Sequence, residues 1–242
     1  MDVYIGTSGW MYTWNPDGFD WYINYSGLNS IELNSSFYRF PYPNQVKSWT
    51  RKTPLDRVFR WSIKVHRSIS HYRRLDMKAV DIMNKFINLF NPLDKYIDFY
   101  LIQLPPNLRC SERNLLRIKN FVERVNIPGR IAIEFRNESC FNESIVDFSN
   151  EAGFIYVSVD SPQTTYIAKS GGAIYLRMHG RTDWYMHYYT DDELNEIKDK
   201  ILSLEPDKLY VYFNNDHDML ENARRFKKLF SGFESKTLDS FI

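Results

Sequence analysis

Cysteine is scarce in this chain: Cys110 and Cys140 are the two that its 242 residues contain. Two thiols that lie far apart in polar stretches do not make the dense cysteine pattern that staples small secreted domains. Proteins of reducing compartments keep such thiols free. The sequence therefore predicts two free thiols and a cytoplasmic location.

An excess of charge of either sign is also missing, since 31 Lys and Arg face 30 Asp and Glu, for a net charge of +1. Proteins that bind polyanions usually carry a marked excess of Lys and Arg, so a strongly basic nucleic-acid surface is excluded, although a local basic patch is not. No segment approaches the roughly 18 consecutive apolar residues of a membrane span. The N-terminal stretch MDVYIGTSGW lacks the basic and apolar regions of a secretory signal. We therefore expect no membrane partner.

What the chain does contain is a hydrophobic fraction of 43%, with 17% aromatic residues, which is ample for a large core. Much of it falls in short runs that are rich in Ile, Val, Tyr and Phe and lack the 3.6-residue period of a helix. Eight such runs predict strands at residues 3–8, 30–35, 60–65, 99–104, 131–136, 155–160, 173–180 and 208–215.

Segments with helical periodicity lie between several of these runs. The predicted helices are 78–91, 111–125, 191–204 and 218–230, and Ser111 is a start signal for the second. The segment 161–172 is shorter and ends in two glycines, so we expect a loop or a single turn there.

Strands that alternate with helices predict βαβ units and a parallel sheet. Eight units in 242 residues favour an α/β fold of the (β/α)8 TIM-like barrel class, formed by one domain over residues 1–242. The connection between strands 6 and 7 of this barrel would be degenerate and short. An open doubly wound sheet is the alternative, but its first turn usually carries GxGxxG, which GTSGW at residues 6–10 does not match.

Polar side chains recur where the predicted strands end. The carboxyl ends of parallel strands meet on one rim of a barrel, where barrel enzymes carry their chemistry. The residues concerned are Ser8, Asn34, Lys64, Gln103, Glu134, Arg136, Asp160, Arg177, His179, Asn214 and Asp216. A buried polar group without a partner costs about 1–3 kcal/mol, so these groups must satisfy one another or a ligand.

The run AIYLRMHGR, in the seventh predicted strand, shows this pattern most clearly. Alternate residues of a strand share one face, so Arg177, His179 and Arg181 converge if the strand continues that far. A buried Arg cannot shed its proton and needs a carboxylate or an anionic ligand. Glu134 or Asp160 is the obvious internal partner.

The basic residues of the rim predict an anion-binding wall. Arg177, Arg136 and Lys64 would hold a phosphate or a carboxylate. Lys64 has two alternatives, since a desolvated lysine can act as a base or Schiff-base amine, and a long side chain can also extend to solvent.

The acidic residues and the histidine of the rim are candidate catalytic groups. Glu134 or Asp160 would serve as general base, and His179 as acid or proton shuttle. Pairing with neighbouring cations is the structural alternative for both carboxylates, and Asp160 also precedes Ser161-Pro162, which is typical of a turn.

Aromatic residues crowd the same loops. Trp10 and Tyr185, each just past a strand end, are candidates for stacking on a sugar or a base, and Tyr38 lies in the same set of loops. A hydrophobic cap on the barrel is the alternative for most of them. The five His form neither HExxH nor a Cys/His cluster, so no metal site is predicted.

Eight motifs occur in the order that is typical of one known family. They are GTSGW (6–10), ELNSSFYRFP (32–41), KVHRSISH (64–71), LIQLPP (101–106), EFR (134–136), Asp160 with Pro162, RMHGR (177–181) and YFNND (212–216). Over nearly its whole length the chain resembles the YecE-like family, a domain of unknown function, which implies a TIM-barrel-like fold and names no reaction. The resemblance implies a pocket formed by Ser8, Trp10, Asn34, Tyr38, Lys64, His71, Gln103, Glu134, Arg136, Asp160, Arg177, His179, Arg181, Tyr185, Asn214 and Asp216.

These observations favour a barrel protein with a polar, anion-binding pocket, acting as a hydrolase or isomerase on a small phosphorylated or sugar-like ligand. A nucleic-acid-binding or endonuclease-like protein is the first alternative, because aromatic rings can stack an extruded base while Arg contacts phosphates. A non-catalytic small-molecule sensor is the second, since its pocket would have the same composition. The sequence leaves the cofactor, the reaction and the oligomeric state open.

Overall fold

The computed structural model describes residues 1–233, in which nine strands and seven α-helices are found. The strands are β1 (Asp2–Thr7), β2 (Ser30–Leu33), β3 (Arg60–Lys64), β4 (Ile97–Gln103), β5 (Ile131–Glu134), β6 (Ile155–Asp160), β7 (Thr165–Tyr166), β8 (Ala173–Met178) and β9 (Lys208–Phe213). The helices are α1 (Gly18–Tyr25), α2 (Pro43–Lys52), α3 (Met77–Leu89), α4 (Glu112–Val125), α5 (Glu143–Ala152), α6 (Asp191–Ser203) and α7 (Met219–Lys228). All eight predicted strands are confirmed, several of them one or two residues shorter at the carboxyl end. The four predicted helices are confirmed as α3, α4, α6 and α7, while the predicted domain end at residue 242 lies outside the described residues.

The eight longer strands form a parallel sheet in the order β1-β9-β8-β6-β5-β4-β3-β2. A bridge between Ser8 and Glu32 brings β1 against β2 and nearly closes the ring. The predicted TIM-like barrel is therefore confirmed. The degenerate connection is confirmed as well, because β7 folds back antiparallel to β6, with Val159 opposite Tyr166, where a helix would otherwise stand.

Side chains complete the seam between β1 and β2, where the backbone ladder is short. Asn29 accepts a hydrogen bond from the Ile5 amide at 2.9 Å and donates one to the Val3 carbonyl at 2.8 Å. Tyr22 of α1 donates its hydroxyl to the Ser30 carbonyl at 2.9 Å. The seam thus satisfies backbone groups that a regular strand pair would have paired with each other.

Three of the helices begin directly after a polar residue of the kind that commonly precedes a helix. Thr190 and Glu193 form a reciprocal capping box at the start of α6, and the Asp76 side chain accepts the Ala79 amide at the start of α3. Ser111 immediately precedes α4, as predicted, although its side chain makes no capping hydrogen bond. Within residues 1–233, no helix has both the length and the apolar character that crossing a membrane would require.

Two apolar clusters occupy the two faces of the sheet. The larger one fills the layer between the strands and the helices. The smaller one is aromatic and fills the barrel interior, where Tyr4, Phe99, Tyr175, Tyr210 and Tyr212 pack together. Because these rings fill the barrel below its carboxyl rim, any ligand cavity has to lie at the rim itself.

The prediction of two free thiols is wrong for this structure, in which a disulfide joins Cys110 to Cys140. The two residues are 30 positions apart in sequence, with Cα atoms at 5.4 Å. They meet because Cys110 follows β4 and Cys140 follows β5, and these strands are hydrogen-bonded neighbours in the barrel. Sequence spacing alone carried no sign of that proximity. The cytoplasmic location stays a prediction.

A substitution at Gly6 in β1 tests how closely the backbones of β1 and β2 pack at the seam. A Cβ atom at this position would lie 2.3 Å from the Ser30 carbonyl oxygen, which belongs to backbone and cannot swing aside. Gly6→Ala is therefore expected to lower the free energy of unfolding by about 1–3 kcal/mol, as overpacking does, measured by urea denaturation. Gly232→Ala is the matched control, because an added Cβ there meets nothing within 4 Å, and it should leave stability nearly unchanged. Equal stability of the two variants would contradict this account of the seam.

Candidate functional site

A buried guanidinium stands at the centre of the carboxyl rim. Arg177 is fully buried, and it donates through Nε and Nη2 to both carboxylate oxygens of Glu32, at 3.0 and 2.6 Å. Its Nη1 donates to Oε2 of Glu134 at 2.5 Å. Ser8 and Tyr175 donate hydroxyls to the same Glu32 carboxylate, at 2.7 and 2.8 Å. Strands β1, β2, β5 and β8 are thereby joined through one ionic network.

The second oxygen of Glu134 is also engaged. Oε1 lies 2.9 Å from Nε2 of His179 and 2.6 Å from Nε of Arg136. Burial by itself would raise the pKa of Glu134, but Arg136, Arg177 and His179 hold it well below the usual value. A carboxylate held this way is a weak base, so the geometry does not favour the general-base role that the sequence suggested for Glu134.

His179 is a neutral member of the network. Burial and the neighbouring Arg136 lower its pKa to about 3. Its Nδ1 lies 3.2 Å from the side-chain nitrogen of Asn214, so a proton on Nε2 allows Nδ1 to accept from Asn214 while Nε2 donates to Glu134. An imidazole that stays neutral through the physiological range positions Glu134 better than it delivers protons.

The charges of this network balance internally. Arg177 and Arg136 carry two positive charges, and Glu32 and Glu134 carry two negative ones. Because Arg177 has no exposed surface and its donors are taken by protein groups, it cannot form the anion-binding wall that the sequence suggested. The internal pairing with Glu134, weighed as the alternative, is what the structure shows.

Asp160 and Arg181 lie outside this network. Asp160 is in register with Met178, so its side chain faces the helix layer, where it accepts hydrogen bonds from Tyr189 at 2.6 Å and Thr165 at 2.5 Å. Gly180, with φ of +100°, turns the chain immediately after His179. The expectation that Arg181 converges with its neighbours is therefore wrong, because β8 ends at Met178.

Arg181 instead pairs with the outward-facing Asp160, its Nε lying 3.1 Å from Oδ1, and with Glu196 of α6 at 2.8 Å. The partnership of Arg177 with Asp160 is likewise excluded by this geometry. Asp160 anchors the β7 hairpin and the loop that leads into α6, which is a structural position rather than a place at the rim pocket.

A cavity of about 460 Å³ opens above the network. It is lined by Ser8, Gly9, Trp10, Met11, Tyr12, Leu33, Asn34, Ser35, Tyr38, Lys64, Tyr185, Asn214 and Asp216. Seven predicted site residues besides Lys64 are thus brought to one basin. Asn34 has a buried Oδ1 atom that accepts no hydrogen bond within residues 1–233.

Lys64 is the one Lys or Arg among the described cavity-lining residues. It ends β3 and is only 8% exposed. Its Nζ donates to Oε1 of Gln103 at 2.8 Å and lies 4.5 Å from the centre of the Phe37 ring. Burial, followed by the nearby Arg177, lowers the pKa of Lys64 to about 7, so the amine is partly neutral at physiological pH. Such an amine can act as a base or as a nucleophile.

The predicted aromatic residues divide between packing and the cavity wall. Trp10 is buried against Phe19, Trp49 and Trp61, so it supports the wall as part of the apolar core. Tyr38 and Tyr185 are much more exposed and border the cavity mouth. His71 contacts the edge of Phe37, with ring centres 5.0 Å apart, and burial together with Lys64 lowers its pKa.

Sequence reasoning missed Glu32, although it is a principal partner of Arg177. A signal was present, because Glu32 precedes Asn34 by two positions and alternate residues of a strand share a face. Phe37 and Trp184 belong to the aromatic residues that crowd the rim loops, and both contact cations of the site: Phe37 lies under the Lys64 amine and Trp184 under the Arg136 guanidinium, each at 4.5 Å. Within the described chain, no group of three or more His, Cys, Asp and Glu side chains is arranged to hold a metal ion.

Comparison with known proteins shows to which family the chain belongs. The profile of the family described as "Protein of unknown function DUF72" matches residues 4–239. The chain belongs to the DUF72 family. The resemblance to YecE-like proteins inferred from the motifs is thereby confirmed.

Individual relatives agree with this assignment. The DUF72 chain is 29% identical over 143 residues to the protein "UPF0759 protein YecE" of Escherichia coli K12. That alignment covers 57% of this chain and 50% of the relative, so it spans about half the length of the curated protein.

Solved structures share the fold. A DUF72 family protein from Enterococcus faecalis superposes with a TM-score of 0.81 at 20% identity, covering 97% of both chains. One from Thermotoga maritima gives 0.79 at 24% identity, covering 95% of this chain and 99% of its own. A D-psicose 3-epimerase crystallised in the presence of D-fructose gives 0.58 at 13% identity, covering 95% and 98%. At these identities the likeness shows the barrel fold alone.

Glu32→Gln tests the central ion pairs of this DUF72 barrel. The substitution leaves the buried Arg177 short of one counter-charge, so we expect a loss of about 3–5 kcal/mol in the free energy of unfolding, measured by urea denaturation. Asp20→Asn is the control, because it breaks the exposed pair with Lys52 and should cost less than about 1 kcal/mol. Similar losses in the two variants would show that the buried network is not what holds these strands.

The lowered pKa of His179 predicts how the free energy of unfolding depends on pH. Its pKa is about 3 in the folded protein and about 6.5 when unfolded, so between these values the unfolded chain takes up a proton that the folded chain refuses. The stabilisation present above pH 6.5 is therefore lost as the pH falls, by about 2 kcal/mol between pH 7 and pH 5. Denaturation across this range should show a flatter profile for His179→Gln than for the wild type, and parallel profiles would rule this origin out.

Proposed function

We propose that this DUF72 protein is an isomerase that acts on a small, sugar-like carbonyl compound in the rim cavity. The observation that carries the proposal is the position of Lys64, which lines the cavity and whose pKa is lowered to about 7 by burial and the nearby Arg177. General bases work best when their pKa lies near the working pH.

The cavity walls support a polyhydroxylated ligand. A volume of about 460 Å³ falls in the range of small-molecule sites. Tyr12, Tyr38 and Tyr185 offer aromatic faces, on which the C–H side of a sugar ring packs well. Asn34 and Asn214 offer amides that exchange hydrogen bonds with hydroxyl groups, and the buried Oδ1 of Asn34 is an acceptor in want of a donor.

A phosphorylated ligand fits this cavity less well. Arg177 and Arg136 are neutralised by carboxylates, which leaves Lys64 as the single cation among the described lining residues. Asp216 adds a carboxylate to the same wall. Tight phosphate sites usually combine Arg forks or several backbone amides, so we favour an uncharged sugar.

The chemistry of isomerisation needs few groups. Neutral Lys64 removes a proton from the hydroxyl-bearing carbon next to the carbonyl and returns it to the carbonyl carbon, the hydroxyl proton passes to the carbonyl oxygen, and Gln103 holds the amine in place. Hydrolysis of a glycosidic bond would require two carboxyl groups that are free to act on the ligand. Glu32 and Glu134 are instead saturated by Arg177 and its neighbours, which favours isomerase over hydrolase.

Hydrogen exchange tests this function across a whole class of candidate substrates. Aldoses and ketoses from trioses to hexoses are incubated with the protein in D₂O, and deuterium at the carbon next to the carbonyl is followed by NMR. We expect exchange for at least one sugar, rising in rate through pH 7 as Lys64 loses its proton, and a loss of about 100-fold or more in Lys64→Met.

Lys95→Met is the matched control, because Lys95 also lies over an aromatic ring, Tyr96 at 4.7 Å, but is exposed and is not among the residues that line the cavity. It should exchange at the wild-type rate. Undiminished exchange in Lys64→Met would show that Lys64 is not the base. Sugar binding without any exchange would replace the isomerase by a non-catalytic sensor.

A further inference from the structure

We propose that Lys64 is a covalent capture site for aldehydes and ketones, forming an imine with the carbonyl carbon of its ligand. The inference rests on the proposed function, because it uses the same cavity and the same class of ligand. It goes further by making the amine a nucleophile toward carbon as well as a base toward a proton.

The geometry leaves the amine available to a ligand. Lys64 lines the cavity, and among the described residues its Nζ has one acceptor at hydrogen-bond distance, the neutral amide oxygen of Gln103 at 2.8 Å. Within residues 1–233 no carboxylate lies within ion-pair distance of Nζ, in contrast to Arg177 and Arg136 of the adjoining network. An amine that donates one hydrogen to an amide can direct its lone pair toward the cavity.

The surrounding charges favour the neutral amine that such an attack needs. Burial is the largest influence on Lys64, and Arg177 and Arg136 act in the same direction. Glu134 and Glu32 act to raise the pKa of Lys64, but each of them is already ion-paired with Arg177. Lysines that serve as Schiff-base amines are activated by this combination of a dry environment and a neighbouring cation.

His71, which follows β3, contacts the same Phe37 ring as Lys64, and burial followed by the charge of Lys64 lowers the pKa of His71. His71 is therefore neutral near pH 7 and adds no charge that would stabilise either form of Lys64. Asp216 is the one acidic residue among the described residues that line this cavity, and it is the acid available there for the proton transfers.

The reaction is balanced without any oxidant or reductant. Nζ forms a bond to the carbonyl carbon, the C=O electron pair moves to oxygen, and the proton from nitrogen goes to that oxygen. Loss of water then breaks the C–O bond and gives the imine, and addition of water reverses both steps. Asp216 and the hydroxyls of Tyr38 and Tyr185 line the same cavity and are the groups available there to exchange protons with the departing oxygen.

Reductive trapping is the direct test. The full-length protein is mixed at pH 7 with D-glyceraldehyde or dihydroxyacetone and sodium cyanoborohydride, and the modified residue is mapped by peptide mass spectrometry. Hydride converts the imine into a stable secondary amine, which adds the mass of the probe less one oxygen atom. We expect the adduct on Lys64 ahead of every exposed lysine, because about half of Lys64 is neutral at this pH, against fewer than about one in a thousand for an ordinary lysine.

Mapping in the wild-type chain keeps the test independent of whether a variant folds. Lys64→Met should lose the early adduct, and Lys95→Met should keep it. Adducts confined to exposed lysines, with Lys64 unmodified, would overturn the inference.

The two proposals fail separately. Deuterium exchange that depends on Lys64 without any trapped adduct would leave the isomerase in place and refute the imine. An adduct on Lys64 without exchange of deuterium into any sugar would support the imine and refute the isomerase.

Discussion

The arrangement of charges at the rim of this barrel depends on a guanidinium that is fully buried and cannot lose its proton. Arg177 needs counter-charge from more than one direction, and it obtains it from Glu32 on β2 and Glu134 on β5. Taking these groups out of water is costly, and the cost is offset only when every donor and lone pair finds a partner. Ser8, Tyr175 and His179 supply further hydrogen bonds to these two carboxylates, so the carboxyl rim is a hydrogen-bonded polar layer above the aromatic interior of the barrel.

The neutrality of this layer shapes the chemistry above it. Because each Arg is matched by a carboxylate, the network neither attracts an anion strongly nor offers a free base. Lys64 stands at the edge of the same layer without an ionic partner of its own in the described chain. Desolvation, followed by the charge of the nearby Arg177, therefore brings the pKa of this amine close to neutrality.

Much of the fold and part of the site could be predicted from the sequence. Strand-like runs that alternate with helical periods predicted the barrel, and polar residues at the strand ends predicted a shared basin for Asn34, Lys64 and Asn214. Asp160 and Arg181 were misplaced because one residue of register, or one turn at a glycine, moves a side chain to the other face of the sheet. Partners were harder still: the alternation of Glu32 with Asn34 indicates a shared strand face, but nothing in the local sequence shows that Arg177 is the partner of Glu32.

The sequence by itself determined the periodicity, the order of the elements and the family, because these depend on side-chain patterns that are local in the chain. Only the tertiary structure decided which charges neutralise one another, that Cys110 meets Cys140, and that Lys64 is left with an uncharged partner. Those outcomes depend on distances between strands far apart in sequence and on the exclusion of water, and barrel closure is what creates both.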